Sequence, residues 1–251
     1  MKISQVKVSD SLTFSFVGPN LEKGPLPTIF YFALSAKDSF ETDPYNQVVR
    51  FLQSDKWRIF TVTLPGHEEG RKPENAISYW AEEMNQGNDL LTPFFQEVAR
   101  GIQYLLQENF IQKDLFGCMG LSRGVFVAAH VAALCPELRF ILGFAPLTKL
   151  SYAKEFQNGP DVSHFDLETL ASKLYDRKIR FYIGNIDSRV STRNTFELVS
   201  HLAEEAKNHR IRSSPIELII GPSIGYQGHG TGPQVFQAGV DWIRSIMEAS
   251  Q

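Results

Sequence analysis

Six short runs dominated by Ile, Val, Leu and Phe recur along the chain, and a segment of helical character follows each one. The runs are 27–34 (PTIFYFAL), 57–64 (WRIFTVTL), 114–119 (DLFGCM), 139–145 (RFILGFA), 179–185 (IRFYIGN) and 215–221 (PIELIIG). They are apolar along most of their length rather than on alternate residues, which suits parallel strands covered by helices on both faces. Between them, residues 90–108 set Leu91, Phe94, Phe95, Val98, Ile102, Leu105 and Leu106 on one helical stripe. Residues 193–207 and 233–248 are amphipathic, the second opening on Pro233, and the small apolar residues of 124–134 predict a buried helix. Asp43-Pro44 reads as the cap and first position of a helix over 44–54. Two further runs, 2–8 and 12–17, flank Ser9-Asp10-Ser11 and read as a hairpin. The alternation predicts an α/β fold: an open, mostly parallel sheet of about eight strands, with an N-terminal hairpin and helices on both faces.

No linker, repeat or low-complexity tract divides the 251 residues, so 1–251 is read as a single domain. Apolar residues at 43% and charged residues at 21% exclude a disordered or fibrous chain. The net charge is −3 and no run of five Lys or Arg occurs, which argues against nucleic acid as a partner. No stretch of 18 uncharged apolar residues is present, so no membrane span is expected. The opening residues alternate apolar with polar and lack the apolar centre of a signal peptide. Two cysteines, Cys118 and Cys135, make neither a disulfide framework nor a zinc cluster, and a reducing cytoplasm is the expected compartment.

In open α/β sheets the reacting groups sit in loops beyond the carboxyl ends of the strands. There, Gly120-Leu121-Ser122-Arg123-Gly124 matches G-x-S-x-G, directly after a predicted strand and at the start of a predicted helix. A sharp strand-to-helix turn forces its central residue into a strained backbone region, and the flanking glycines remove Cβ atoms that would collide across it. The Arg123 N–H then stands free at a helix N-terminus, a ready donor for an oxyanion. The pattern arises by chance about 0.1 times in a chain of this length.

A serine hydroxyl needs a base, and the base an orienting carboxylate. On this kind of sheet the chain order is Ser, acid, His. His229 lies in a Gly-flanked loop just past the last strand, and Asp187 directly follows IRFYI. The other histidines, His67, His130, His164, His201 and His209, fit surface or packing roles better. Asp161, Asp166, Asp176 and Glu197 lack an equivalent placement. Cys118 falls inside a strand and reads as a buried inert thiol.

With those residues in place, the sequence resembles the α/β-hydrolase superfamily along nearly its whole length. GLSRG and GNIDSRV look most like the prolyl-oligopeptidase-like and dienelactone-hydrolase-like branches. The resemblance implies Ser122 as nucleophile, Asp187 as acid and His229 as base, with no metal or organic cofactor. It places 61–73 (TVTLPGHEEGRKP) in the loop after the fourth strand, on the pocket rim. Two departures stand out. The His-Gly pair of relatives is replaced by Ala33-Leu34-Ser35-Ala36-Lys37, leaving Leu34 or Ser35 to supply the second oxyanion N–H. Val125 also stands where a second glycine commonly closes the elbow, and no propeller domain is present to filter peptides.

The connection 147–178 leaves room for a small lid at most, with one helix over 166–176, and a shallow, partly open cleft of mixed polarity is expected. Tyr79 and Trp80 either anchor the rim or only pack their own helix, and Arg123 either meets a substrate carboxylate or is a surface or ion-paired residue. The expected function is a serine hydrolase, carboxylesterase-like, cleaving a small-molecule acyl substrate through an acyl-enzyme. The rival readings are a peptidase or amidase, and an inactive hydrolase-fold binding protein.

Overall fold

The computed structural model describes residues 2–248. Met1 and 249–251, the ends of the single domain read from the sequence, lie outside the described residues. The strands are β1 (Ser4–Lys7), β2 (Thr13–Val17), β3 (Leu26–Phe32), β4 (Arg58–Thr61), β5 (Ile111–Leu121), β6 (Phe140–Phe144), β7 (Lys178–Gly184) and β8 (Ile216–Gly221). The helices are α1 (Ala36–Glu41), α2 (Gln47–Leu52), α3 (Ala76–Asn85), α4 (Leu91–Gln107), α5 (Arg123–Leu134), α6 (Ala171–Leu174), α7 (Thr192–Asn208) and α8 (Pro233–Glu248). One eight-stranded sheet runs in the order β1-β2-β4-β3-β5-β6-β7-β8. The β1–β2 and β2–β4 pairs are antiparallel and all others parallel.

The strand periodicity sorts side chains into two cores. Phe30 and Phe32 of β3 belong to the core shared with α3, α4, α5 and α7, while Ile29 and Tyr31 belong to the core shared with α1, α2 and α8. In the first core Phe14, Phe16, Phe30 and Phe60 form a ring cluster with centroids 5.0 to 6.0 Å apart. The central strands β4 and β6 are buried at every position, which is why their sequences read as continuous apolar runs. Edge strand β8 is partly exposed throughout.

Three expected elements differ. The helix predicted over 44–54 begins at Gln47, because Ser35 caps an earlier helix, α1, through its Oγ to the Asp38 N–H at 3.0 Å. Residues 43–46 are then spent in the turn between α1 and α2, with Tyr31 Oη donating to the Tyr45 carbonyl at 2.7 Å. The helix predicted over 166–176 is a 3-10 turn followed by the short α6. Asp166 instead accepts from the Ser151 N–H and hydroxyl, binding this connection to an earlier turn of the 147–178 segment. The third is Trp80. It is fully buried, donates to the Pro65 carbonyl at 2.7 Å and packs on Phe126, so it anchors the core rather than a rim.

Val125 does not weaken the packing of α5 on the sheet. Its bulk is accommodated from the other side: a Cβ on Gly143 of β6 would lie 2.8 Å from Val125 Cγ1.

Candidate active site

Ser122 sits between β5 and α5 with φ 54° and ψ −117°, a conformation that costs an L-residue about 1–3 kcal/mol. Its N–H donates to the Phe144 carbonyl at 2.8 Å, and its carbonyl accepts from Val125 and Leu147. Gly124 is required here: a Cβ on it would lie 1.9 Å from the Phe32 carbonyl oxygen. The sharp turn therefore depends on α5 crossing β3 backbone to backbone.

Asp187 follows β7 and is buried at 3% exposure. One carboxylate oxygen accepts from the N–H groups of Arg189 (3.0 Å) and Val190 (3.1 Å). The other lies 2.7 Å from His229 Nδ1, and His229 Nε2 lies 2.8 Å from Ser122 Oγ. Three side chains from the ends of β5, β7 and β8 thus form one hydrogen-bonded line. The loops that carry Asp187 and His229 are laced together: Ile186 N–H donates to Ser223 Oγ at 2.7 Å, Ser223 N–H to Asn185 Oδ1 at 3.1 Å, and Ser188 N–H to the Gln227 carbonyl at 3.0 Å. Gly228, at φ 73°, makes this approach possible, since a Cβ there would meet the Ile186 carbonyl oxygen at 2.1 Å.

A cavity of about 390 Å³ opens beside the serine, lined by Ala33, Leu34, Pro44, Tyr45, Pro73, Glu74, Leu121, Arg123, Arg189, Tyr226, His229 and Phe236 among others. A second, of about 420 Å³, shares Ser122, Glu74, Arg189 and Tyr226 with it. Leu34 faces the first cavity, whereas Ser35 is used as the α1 cap and lines a separate groove. The Leu34 N–H makes only a long contact, 3.4 Å, to Ser39 Oγ.

Of the two readings of Arg123, the structure removes the surface or ion-paired one, and it buries His67 beside it. Arg123 is neither on the surface nor ion-paired among the described residues: it is 6% exposed, and its Nη1 donates to the Pro73 carbonyl at 2.9 Å. The same Nη1 lies 3.3 Å from His67 Nε2. Burial first, then the Arg123 charge, lowers the His67 pKa to about 4, so its ring is neutral and Nε2 accepts from the guanidinium. The clue was the Pro65-Gly66-His67 stretch in a segment already assigned to the rim.

The remaining candidates lie elsewhere. His130 is stacked on Phe95 at 4.4 Å, and burial lowers its pKa to about 4. His164 packs on Phe165, His209 stacks on Tyr175, and His201 is exposed on α7. Asp161 accepts from Ser163, Asp176 pairs with Arg177, and Glu197 pairs with Lys149 and Arg193. Cys118 is a free buried thiol whose pKa burial pushes well up. Tyr79 carries the Arg71 guanidinium 3.8 Å above its ring and does not line either cavity.

No family model matches the sequence, and no curated protein matches it. Solved structures do. TT1662 from Thermus thermophilus is 14% identical, with 99% of each chain covered and a TM-score of 0.71. A cold-adapted esterase from an Arctic intertidal metagenomic library is 19% identical, covers 96% of this chain and 91% of its own, and has a TM-score of 0.66. Porphyromonas gingivalis dipeptidyl peptidase 4 is 13% identical over 97% of this chain, with a TM-score of 0.66, but this chain spans only 35% of its length. Sheet order, strand-to-helix turn and these likenesses agree: the chain has the α/β-hydrolase fold. Among the described residues no helix is long and apolar enough to cross a membrane.

Proposed function

We propose that the protein is a serine hydrolase of carboxylesterase type, acting on a small acyl substrate. The observation that carries this reading is the pair of short contacts at His229, 2.8 Å to Ser122 Oγ and 2.7 Å to Asp187. Ser122 Oγ attacks the acyl carbonyl as His229 Nε2 takes its proton. Asp187 holds the proton on Nδ1 and stabilises the imidazolium. The tetrahedral oxyanion is bound by the Arg123 N–H at the start of α5 and by the Leu34 N–H, which gives up its long contact to Ser39. Each such donor typically contributes about 3 kcal/mol to lowering the barrier. The bond from carbon to the leaving oxygen breaks, and that oxygen takes the proton from His229. Water, deprotonated by the same imidazole, then attacks the acyl-enzyme, releasing the acid and restoring Ser122.

The test is a fluorophosphonate probe together with short p-nitrophenyl esters and matched anilides. Covalent labelling at Ser122 and ester turnover that Ser122→Ala removes are expected. Folded protein that resists the probe would sink the reading, and anilide turnover matching ester turnover would move it to the amidase class.

A further inference from the structure

Arg123 carries a burial cost that no ion pair among the described residues offsets. A buried charge is normally paired, because taking it out of water is expensive. This guanidinium is 6% exposed, forms no ion pair among the described residues, and is held only by one carbonyl and one neutral imidazole. It lines the cavity that contains Ser122. Burial lowers its pKa to about 10, which still leaves it charged at neutral pH. Arg189 lines the same cavity, and its side chain has no partner among the described residues. The Arg189 charge further disfavours that of Arg123, so two like charges converge beside the serine. The one carboxylate lining this cavity, Glu74, is solvent-exposed, as is Arg189, and Glu155 in the adjoining cavity favours the Arg123 charge without bonding to it. Within the cavity beside Ser122, two guanidiniums therefore stand against the one carboxylate of Glu74.

Resting on the serine-hydrolase reading, we propose that the substrate carries a carboxylate, which binds to Arg123 and is closed over by Arg189 while its acyl carbon lies on Ser122. The guanidinium fork matches a carboxylate in shape as well as charge. Bound there, the anion pairs the buried cation and removes the repulsion between the two arginines. His67 acts as a positioning residue: its Nε2 and the Pro73 carbonyl fix Arg123 Nη1 from the rim segment.

The experiment compares the mono-p-nitrophenyl ester of adipic acid with its methyl-capped diester at low ionic strength, with spontaneous hydrolysis subtracted. Wild type should favour the anionic ester by about tenfold or more in kcat/KM, about 1.4 kcal/mol, chiefly through KM. That ratio should shrink in Arg189→Gln and collapse in Arg123→Met. Should Arg123→Met not fold, Arg189→Gln and the wild-type ratio decide alone. Equal turnover of the two esters by wild type, or a ratio that ignores Arg189→Gln, overturns the proposal and leaves the hydrolase reading intact. If Ser122 is labelled by fluorophosphonate but neither ester turns over, labelling should be slowed by adipate and not by dimethyl adipate; equal slowing, or none, overturns the proposal. A folded protein that neither takes the probe nor cleaves either ester ends both readings.

Discussion

Of the three arginines buried among the described residues, Arg177 is paired with Asp176, and the other two, Arg58 and Arg123, differ in how they are satisfied. Arg58 on β4 is fully buried, and its guanidinium donates to four carbonyls, those of Pro19, Asn20, Gly24 and Phe110. It pins the β2–β3 connection and the start of β5, and no substrate cavity reaches it among those described. Arg123 has one carbonyl, one imidazole and an open cavity. The first is a cation enclosed to hold backbone together. The second keeps part of its binding capacity for something outside the chain. Equal burial can therefore mean opposite things, and the hydrogen-bond inventory tells them apart.

The widest separation between the two regions should come from Ser122→Ala. Activity should fall by about a million-fold, as when the nucleophile of a serine hydrolase is removed, while the urea midpoint stays within error. Arg58→Met should do the reverse. Four carbonyls in part-buried bonds lose a charged donor, and unfolding free energy should drop by about 3–5 kcal/mol, with turnover per folded molecule retained; a drop under about 1 kcal/mol would erase the contrast. Acid should act on both halves of the molecule. The pKa values of His67 and His130 are each lowered to about 4, so the unfolded chain binds more protons than the folded one below the usual imidazole value near 6.5. Stability is then complete above that value and is lost as pH falls toward 4, by about 1.4 kcal/mol per pH unit for each site. Chemical denaturation between pH 7 and 4.5 measures it, and His130→Phe should flatten the slope. Smallest of all, His67→Gln should raise KM for the anionic adipate ester several-fold and leave kcat for both esters in place. A change shared equally by the neutral ester would reduce His67 to packing.

The strands and the strand-to-helix turn at Ser122 were legible because the signals were local: continuous apolar runs, and glycines at fixed distances from a serine. Asp187 and His229 were legible because chain order on such a sheet limits where they can stand. What escaped was set by contacts between distant segments. Ser35 starting its own helix displaced the helix read over 44–54. The burial of Trp80 depends on the Pro65 carbonyl and Phe126. The compensation of Val125 by Gly143 pairs residues on different elements, and the seating of Arg123 against His67 and Pro73 joins positions some fifty residues apart. No window of sequence contains either partner's environment.

The lacing of the Asn185–Ser188 loop to the Ser223–Gln227 loop has a mechanical outcome. Carboxylate and imidazole are carried by loops bonded to each other beyond β7 and β8, whereas the serine belongs to the turn between β5 and α5. The 2.7 Å contact between ring and carboxylate therefore lies within one tied pair of loops, whereas the 2.8 Å contact between ring and hydroxyl crosses from that pair to a separate turn.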